Sequence, residues 1–222
     1  MSPYAELLDL IRKGEVRGYA KKHGLNEYDV VYSGIALKDR PKSLRKMTIR
    51  EVLAWQDSID KKYNSEAAGA YQIMEDTLRD GLVVKANLSM EDLFDEDTQD
   101  MLATALLFRR GLHQYLRGEI SAEAFCNNLA HEWASLPQVS GKNKGKGVYD
   151  GDGMNKANPA LADEFLAVVK RLKRPKVVEA KEVVVATATT VATTVAPDYW
   201  PWIIGAGFLV LVLLFIWKRR KA

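Results

Sequence analysis

Glu15 is the residue of this chain whose position most invites acid chemistry. It follows Gly14, which reads as a helix stop. The helix before it is marked by Ser2 as N-cap, Pro3 at the first helical position, and Tyr4, Leu7, Leu8 and Ile11 along one face. A helix C-terminus presents partial negative charge, which disfavours a carboxylate there and raises its pKa. A carboxyl group still protonated near neutral pH can deliver a proton to a leaving oxygen. The alternative is a solvated glutamate past a helix end, the ordinary fate of most of the 29 acidic residues. Other chemistries find less support. His23, His113 and His131 show no metal-ligand spacing, and no phosphate-binding glycine loop of the P-loop type is present. Cys126 is the single cysteine, so no intrachain disulfide forms, and its neighbours Phe125 and Leu129 make it a buried structural thiol.

The elements that must position Glu15 are mostly helical. Residues 27–37, rich in Val and Tyr and bounded by Gly24 and Pro41, form the best strand candidate of the region. Thr48-Ile-Arg-Glu51 is a capping box ahead of a helix carrying Val52, Leu53 and Trp55. Residues 64–69 read as a loop and 70–79 as the start of another helix. Residues 95–116 read as one long helix with Met101, Ala105, Phe108 and Leu112 on its inner face. Ser121 caps a helix carrying Phe125, Leu129 and Trp133, and a last helix covers about residues 159–172. Three lysines in the loop at residues 140–147 sit among small residues, as in a solvated loop.

Five fragments in order carry a family resemblance. They are Leu7-Leu-Asp-Leu-Ile-Arg-Lys-Gly-Glu15, Tyr28-Asp-Val-Val-Tyr-Ser-Gly34, Ala68-Gly-Ala-Tyr-Gln72, Glu132-Trp-Ala-Ser-Leu-Pro137 and Tyr149-Asp-Gly-Asp-Gly-Met-Asn-Lys-Ala157. Over about residues 4–158 the chain resembles the lysozyme-like peptidoglycan-cleaving enzymes of bacteriophages, particularly the family of the lambda phage endolysin. The resemblance implies an α+β fold, a predominantly helical lysozyme-like domain with a small β-lobe. It implies cleavage of the β-1,4 bond between N-acetylmuramic acid and N-acetylglucosamine in peptidoglycan glycan strands, with Glu15 as the catalytic general acid and base and no cofactor. Ala68-Gly-Ala-Tyr-Gln72 is similar to the family's Gly-x-Tyr-Gln signature, which lines the saccharide cleft. Tyr71 would stack on a sugar face and Gln72 would bond hydroxyl and N-acetyl groups. Gln56 and Tyr149 are further cleft candidates by the same resemblance, while Trp133 belongs to the core beside Leu129 and Leu136. Hydrolysis calls for a second carboxylate, about 5–9 Å away. Asp57, Asp60 and Glu66 lie in the right segment, but no motif selects one. The lambda-type enzymes are lytic transglycosylases with a single catalytic glutamate, which favours that chemistry over a lysozyme-type hydrolase. Val16-Arg17 and Ala70 depart from the family pattern, which keeps open a catalytically inactive peptidoglycan-binding or virion assembly protein.

Composition adds a second theme. The net charge is +3, and residues 218–221 alone supply four positive charges, so the remainder is near neutral and offers no nucleic-acid surface. The domain is expected over residues 1–172 and an Ala/Val/Thr-rich linker over 173–197. About 24 linker residues extended at about 3.3 Å each would reach nearly 80 Å. Residues 198–222 hold an uncharged, aromatic-flanked apolar run followed by a basic cluster, as in a single C-terminal transmembrane helix with its tail in the cytoplasm. The start, Met1-Ser-Pro-Tyr-Ala-Glu6, lacks the basic and apolar regions of a signal peptide. These features predict a single-pass protein of a virion membrane or the host inner membrane, with virion membrane or capsid proteins as further partners.

Overall fold

A computed structural model of the chain describes residues 2–151 and 156–172. Helix α1 (Ala5–Arg12) buries Leu7, Leu8 and Ile11 as the spacing predicts and Leu10 in addition, while Tyr4, at the N-cap, stays half-buried. Its first turn begins two residues later than Ser2 and Pro3 suggest, with the Ser2 hydroxyl accepting from the Tyr4 amide at 3.2 Å. Gly14 is not a stop. The chain continues without a break through a π-helical turn, Lys13–Arg17, into α2 (Gly18–His23). It ends at Gly24, whose positive φ of 64° is the left-handed cap that glycine adopts at no steric cost.

The strand-like run does not become a strand. Glu27–Asp29 and Leu37–Asp39 are short 3-10 turns, and Val31 makes only an isolated bridge to Ala68, which bridges in turn to Ile73. The α+β class with a β-lobe is therefore corrected: among the described residues the domain is helical, with no strand longer than a bridge. The physical reason lies in who satisfies the backbone. The Tyr28 carbonyl accepts from the Gln99 side chain, Val30 O from Gly69 N, and Tyr32 N donates to Ala67 O. Loops and one buried side chain take the places that a neighbouring strand would fill. Val30, Val31 and Ile35 still enter the core, so the apolar content finds its use without a ladder.

Helix α3 (Ile49–Ile59) starts on the expected capping box, with Glu51 N donating to Thr48 Oγ1 at 3.2 Å and Thr48 N to Glu51 Oε2 at 2.7 Å. Short helices α4 (Glu75–Thr77) and α5 (Val83–Lys85) flank a π-type turn kinked at Asp80 and Gly81. The single long helix expected at 95–116 is two. Helix α6 (Glu96–Arg109) stops before Gly111, whose φ of 102° turns the chain into α7 (Leu112–Leu116). Helix α6 buries Leu102, Ala103, Leu106 and Leu107 in the core, whereas Met101 is exposed. Ser121 caps α8 (Ala122–Leu129) through the Ala124 amide, and α9 (Ala162–Arg171) follows a 3-10 turn at Pro159–Leu161. Lys13–Glu164 and Arg171–Glu6 ion pairs join α9 to the first helical rod. Cys126 is fully buried, and that burial pushes its thiol up to about 12, which leaves it inert at neutral pH.

No helix among the described residues is long and apolar enough to cross a membrane. The longest, α6 with 14 residues, spans about 21 Å at 1.5 Å per residue, short of a bilayer core of about 30 Å. The expected single-pass membrane arrangement, with its virion or inner-membrane location, is corrected on this finding. Residues 173–197 and 198–222, on which it was drawn, lie outside the described residues.

Candidate active site

Glu15 sits in the π-helical turn, in the interior of the first helical rod rather than beyond its end. The turn leaves a trace in the sequence. Buried residues run Leu7, Leu8, Leu10, Ile11, then Val16 and Ala20, so one step is five residues where an α-helix takes three or four. The extra residue turns Val16 into the core and leaves Glu15 half-buried on the wall of a cleft of about 400 Å³. Tyr32, Asn64, Ser65, Ala67, Gln72, Met74, Glu132, Trp133, Ala134 and Tyr149 line it as well.

The surroundings hold the Glu15 carboxyl above the ordinary value of 4.5. Burial is the main cause, opposed by hydrogen bonds from the Ser135 hydroxyl and the Ser135 amide. Both reach Oε1, at 2.7 Å from Oγ and 3.2 Å from N. Desolvation within the cleft wall, not the expected helix terminus, favours the protonated form. Gly14 has a role that its reading as a stop hides. A Cβ added there would stand 2.5 Å from Ser135 Oγ, so the bare backbone leaves room for the Ser135 hydroxyl in its place beside Glu15.

The other expected site residues separate. Gln72 lines the cleft with a φ of 48°, a left-handed conformation that costs a non-glycine residue about 1 kcal/mol or more. Its side-chain amide donates to Gly69 O at 2.9 Å, closing the loop on itself. Gly69, at φ 77°, is required twice, since an added Cβ would also meet Gln99 Oε1 at 2.2 Å. Tyr149 is 41 % exposed at the cleft, its hydroxyl donating to His131 O at 2.9 Å. Tyr71, next to Gln72 in sequence, points the other way. It is 1 % exposed, donates to Asp100 and accepts from Arg12 at 2.7 Å, and is absent from the cleft lining. Tyr28 joins the same cluster, and burial together with Asp100 raises its hydroxyl to about 12. Gln56 is fully buried beneath the loop, its amide donating to Glu66 O at 3.0 Å and Ile73 O at 2.9 Å. Trp133 is core, and its indole N–H donates to Tyr71 O at 3.2 Å, linking the buried cluster to the cleft wall.

None of the three carboxylates that the sequence offers as a partner for Glu15 lines the cleft. Asp57 and Asp60 are exposed on α3 and its end, and Glu66 is buried with Oε1 accepting from Glu75 N. Glu132, which sequence reasoning passed over, lines the cleft, but Arg109 and Arg110 each hold it at 2.6 Å. Among the described residues no cluster of His, Cys, Asp or Glu could hold a metal ion. Tyr32, Asn64, Ser65 and Ser135 were also missed as site residues, because nothing local marks a loop residue as facing a cleft.

No curated protein and no solved structure matches this chain. The family model described as Endolysin matches residues 5–154, a stretch that includes Glu15, Ser135 and every cleft-lining residue named above. That match covers more than half of the sequence, and the chain therefore belongs to the endolysin family of phage peptidoglycan-cleaving enzymes.

Proposed function

We propose that the cleft cleaves the β-1,4 bond between N-acetylmuramic acid and N-acetylglucosamine, with Glu15 as the general acid and then the general base. The observation that carries this reading is the Glu15 carboxyl itself, desolvated on the wall of a cleft and held above its ordinary pKa. A protonated carboxyl at neutral pH is what departure of a glycosidic oxygen requires. The glycosidic oxygen takes the Glu15 proton as its bond to C1 breaks. The resulting carboxylate then accepts a proton from the nucleophile that attacks C1.

The nucleophile we infer is the 6-hydroxyl of the same muramic acid residue, which closes a 1,6-anhydro ring and makes the enzyme a lytic transglycosylase. Hydrolysis by the two-carboxylate routes needs a second carboxylate free to act on water or on C1. Glu132, the other carboxylate lining the cleft among the described residues, is neutralised by two arginines. Tyr32 and Tyr149 supply aromatic faces for sugar rings, and Asn64, Ser65 and the Gln72 side-chain oxygen supply polar partners for hydroxyl and N-acetyl groups.

Glu15→Gln should lower the rate of release of soluble fragments from purified sacculi by about 10²–10⁴-fold while preserving the fold. Ordinary activity in that variant would rule out Glu15 as the acid. Mass spectrometry of wild-type products should show termini lighter than a reducing end by about 18 mass units, the one water not added. Reducing ends would establish hydrolysis instead.

A further inference from the structure

We propose that Ser135 is the positioning residue that gives the two oxygens of Glu15 separate tasks, and that residue 14 is glycine so that Ser135 can reach them. Oε1 is then a fixed hydrogen-bond acceptor, and Oε2 bears the proton that is transferred. This rests on the reading of Glu15 as the acid. The Ser135 amide can only donate, and it shares Oε1 with the Ser135 hydroxyl. Two donors occupy the two lone pairs of that oxygen, which leaves Oε2 for the acid proton. Among the described residues no other hydrogen bond reaches the Glu15 carboxyl.

The arrangement acts on the reaction through charge. When the proton leaves Oε2 for the glycosidic oxygen, the O–H bond breaks and negative charge spreads over both carboxyl oxygens. The Ser135 bonds to Oε1 strengthen as that charge grows, so they favour the transition state over the ground state. When Glu15 later takes a proton from the attacking hydroxyl, Oε2 is again the open atom. Burial favours the protonated form, and the Ser135 bonds oppose it by favouring the carboxylate.

Gly14 makes this contact sterically feasible. Its backbone is helical, within the π-helical turn, with no positive φ, so conformational freedom does not explain a glycine that a helix would otherwise disfavour. Space does. An added Cβ would lie 2.5 Å from Ser135 Oγ and 3.1 Å from Ser135 Cβ. Ser135 has little room to retreat, because its carbonyl accepts from Asn158 N at 3.1 Å.

The test uses the full chain with ¹³C-labelled glutamate side chains, the Glu15 signal being the one lost in Glu15→Gln. Ser135→Ala should lower kcat on sacculi by about 10- to 100-fold, the weight of a hydrogen bond to a charged group, with KM nearly unchanged. Its Glu15 titration midpoint should move up, and the alkaline limb of kcat should follow. Gly14→Ala should move both in the same direction by displacing the hydroxyl. Gly14→Ala/Ser135→Ala removes the atom that the new methyl would strike, so it keeps a folded comparison, and it should match Ser135→Ala in kcat and midpoint. An unchanged Glu15 midpoint in folded Ser135→Ala would overturn the proposal. So would wild-type kcat and midpoint in Gly14→Ala. Ordinary activity in Glu15→Gln would instead overturn the acid role, while the midpoints would still decide whether Ser135 holds Oε1.

Discussion

Replacing Tyr71 with phenylalanine separates a buried structural tyrosine from a sugar-stacking one. The ring remains, so no cavity opens, and the change removes only the hydroxyl that donates to Asp100 and accepts from Arg12. A hydrogen bond to a charged group contributes about 1.5–3 kcal/mol, so two would sum to about 3–6 kcal/mol if nothing compensated. Compensation is at hand. Asp100 keeps Tyr28 at 2.9 Å and Arg12 at 3.5 Å, and its side chain is 35 % exposed to water. Arg12 keeps Glu27 and Asp9. One bond's worth, about 2 kcal/mol, is the expected loss. For a domain of this size each kcal/mol moves Tm by about 2–4 °C, so thermal unfolding followed by circular dichroism should show a fall of about 4–8 °C. KM on sacculi should barely change, because the ring does not line the cleft. A Tyr71→Phe variant as stable as wild type but with a markedly raised KM would refute this account and return Tyr71 to the substrate.

Three further outcomes follow from the same geometry. Glu15 is held above its ordinary pKa, so the folded state binds its proton more tightly than the unfolded state and stability falls as pH rises through that window. Glu15→Gln should therefore be more stable than wild type at neutral pH, seen as a higher Tm. The difference in Tm should close as pH drops below 4.5, and a gap that widened there would reverse the sign. Gly69→Ala should lose about 3 kcal/mol or more, since it combines a left-handed backbone with a methyl driven onto Gln99; a loss under about 1 kcal/mol in urea denaturation would contradict this. Glu132→Gln should lower stability by about 2–4 kcal/mol by stranding Arg109 and Arg110, yet still yield anhydro products. Reducing ends appearing in that variant, or loss of the anhydro products, would give Glu132 a direct part in the chemistry.

What local sequence determines here is local structure and chemical identity. The caps at Thr48 and Ser121, most of the apolar stripe of the first helix and the inert burial of Cys126 all follow from residue types within one or two turns of chain. The strand expected at residues 27–37 failed because backbone pairing depends on a partner, and the partners present were Gln99 and the loop at 67–69. The same limit explains Tyr71 and Gln72. They are neighbours in one motif, but the left-handed turn sends one into a buried charge cluster and the other into the cleft. Above all, the raised pKa expected for Glu15 from a helix end arises instead from burial, tempered by a serine 120 residues away. A dipole at a helix terminus is a local property that spacing suggests. Desolvation and the hydrogen bonds from Ser135 exist only once distant segments pack, and Gly14 is small because of an atom that no neighbouring residue carries.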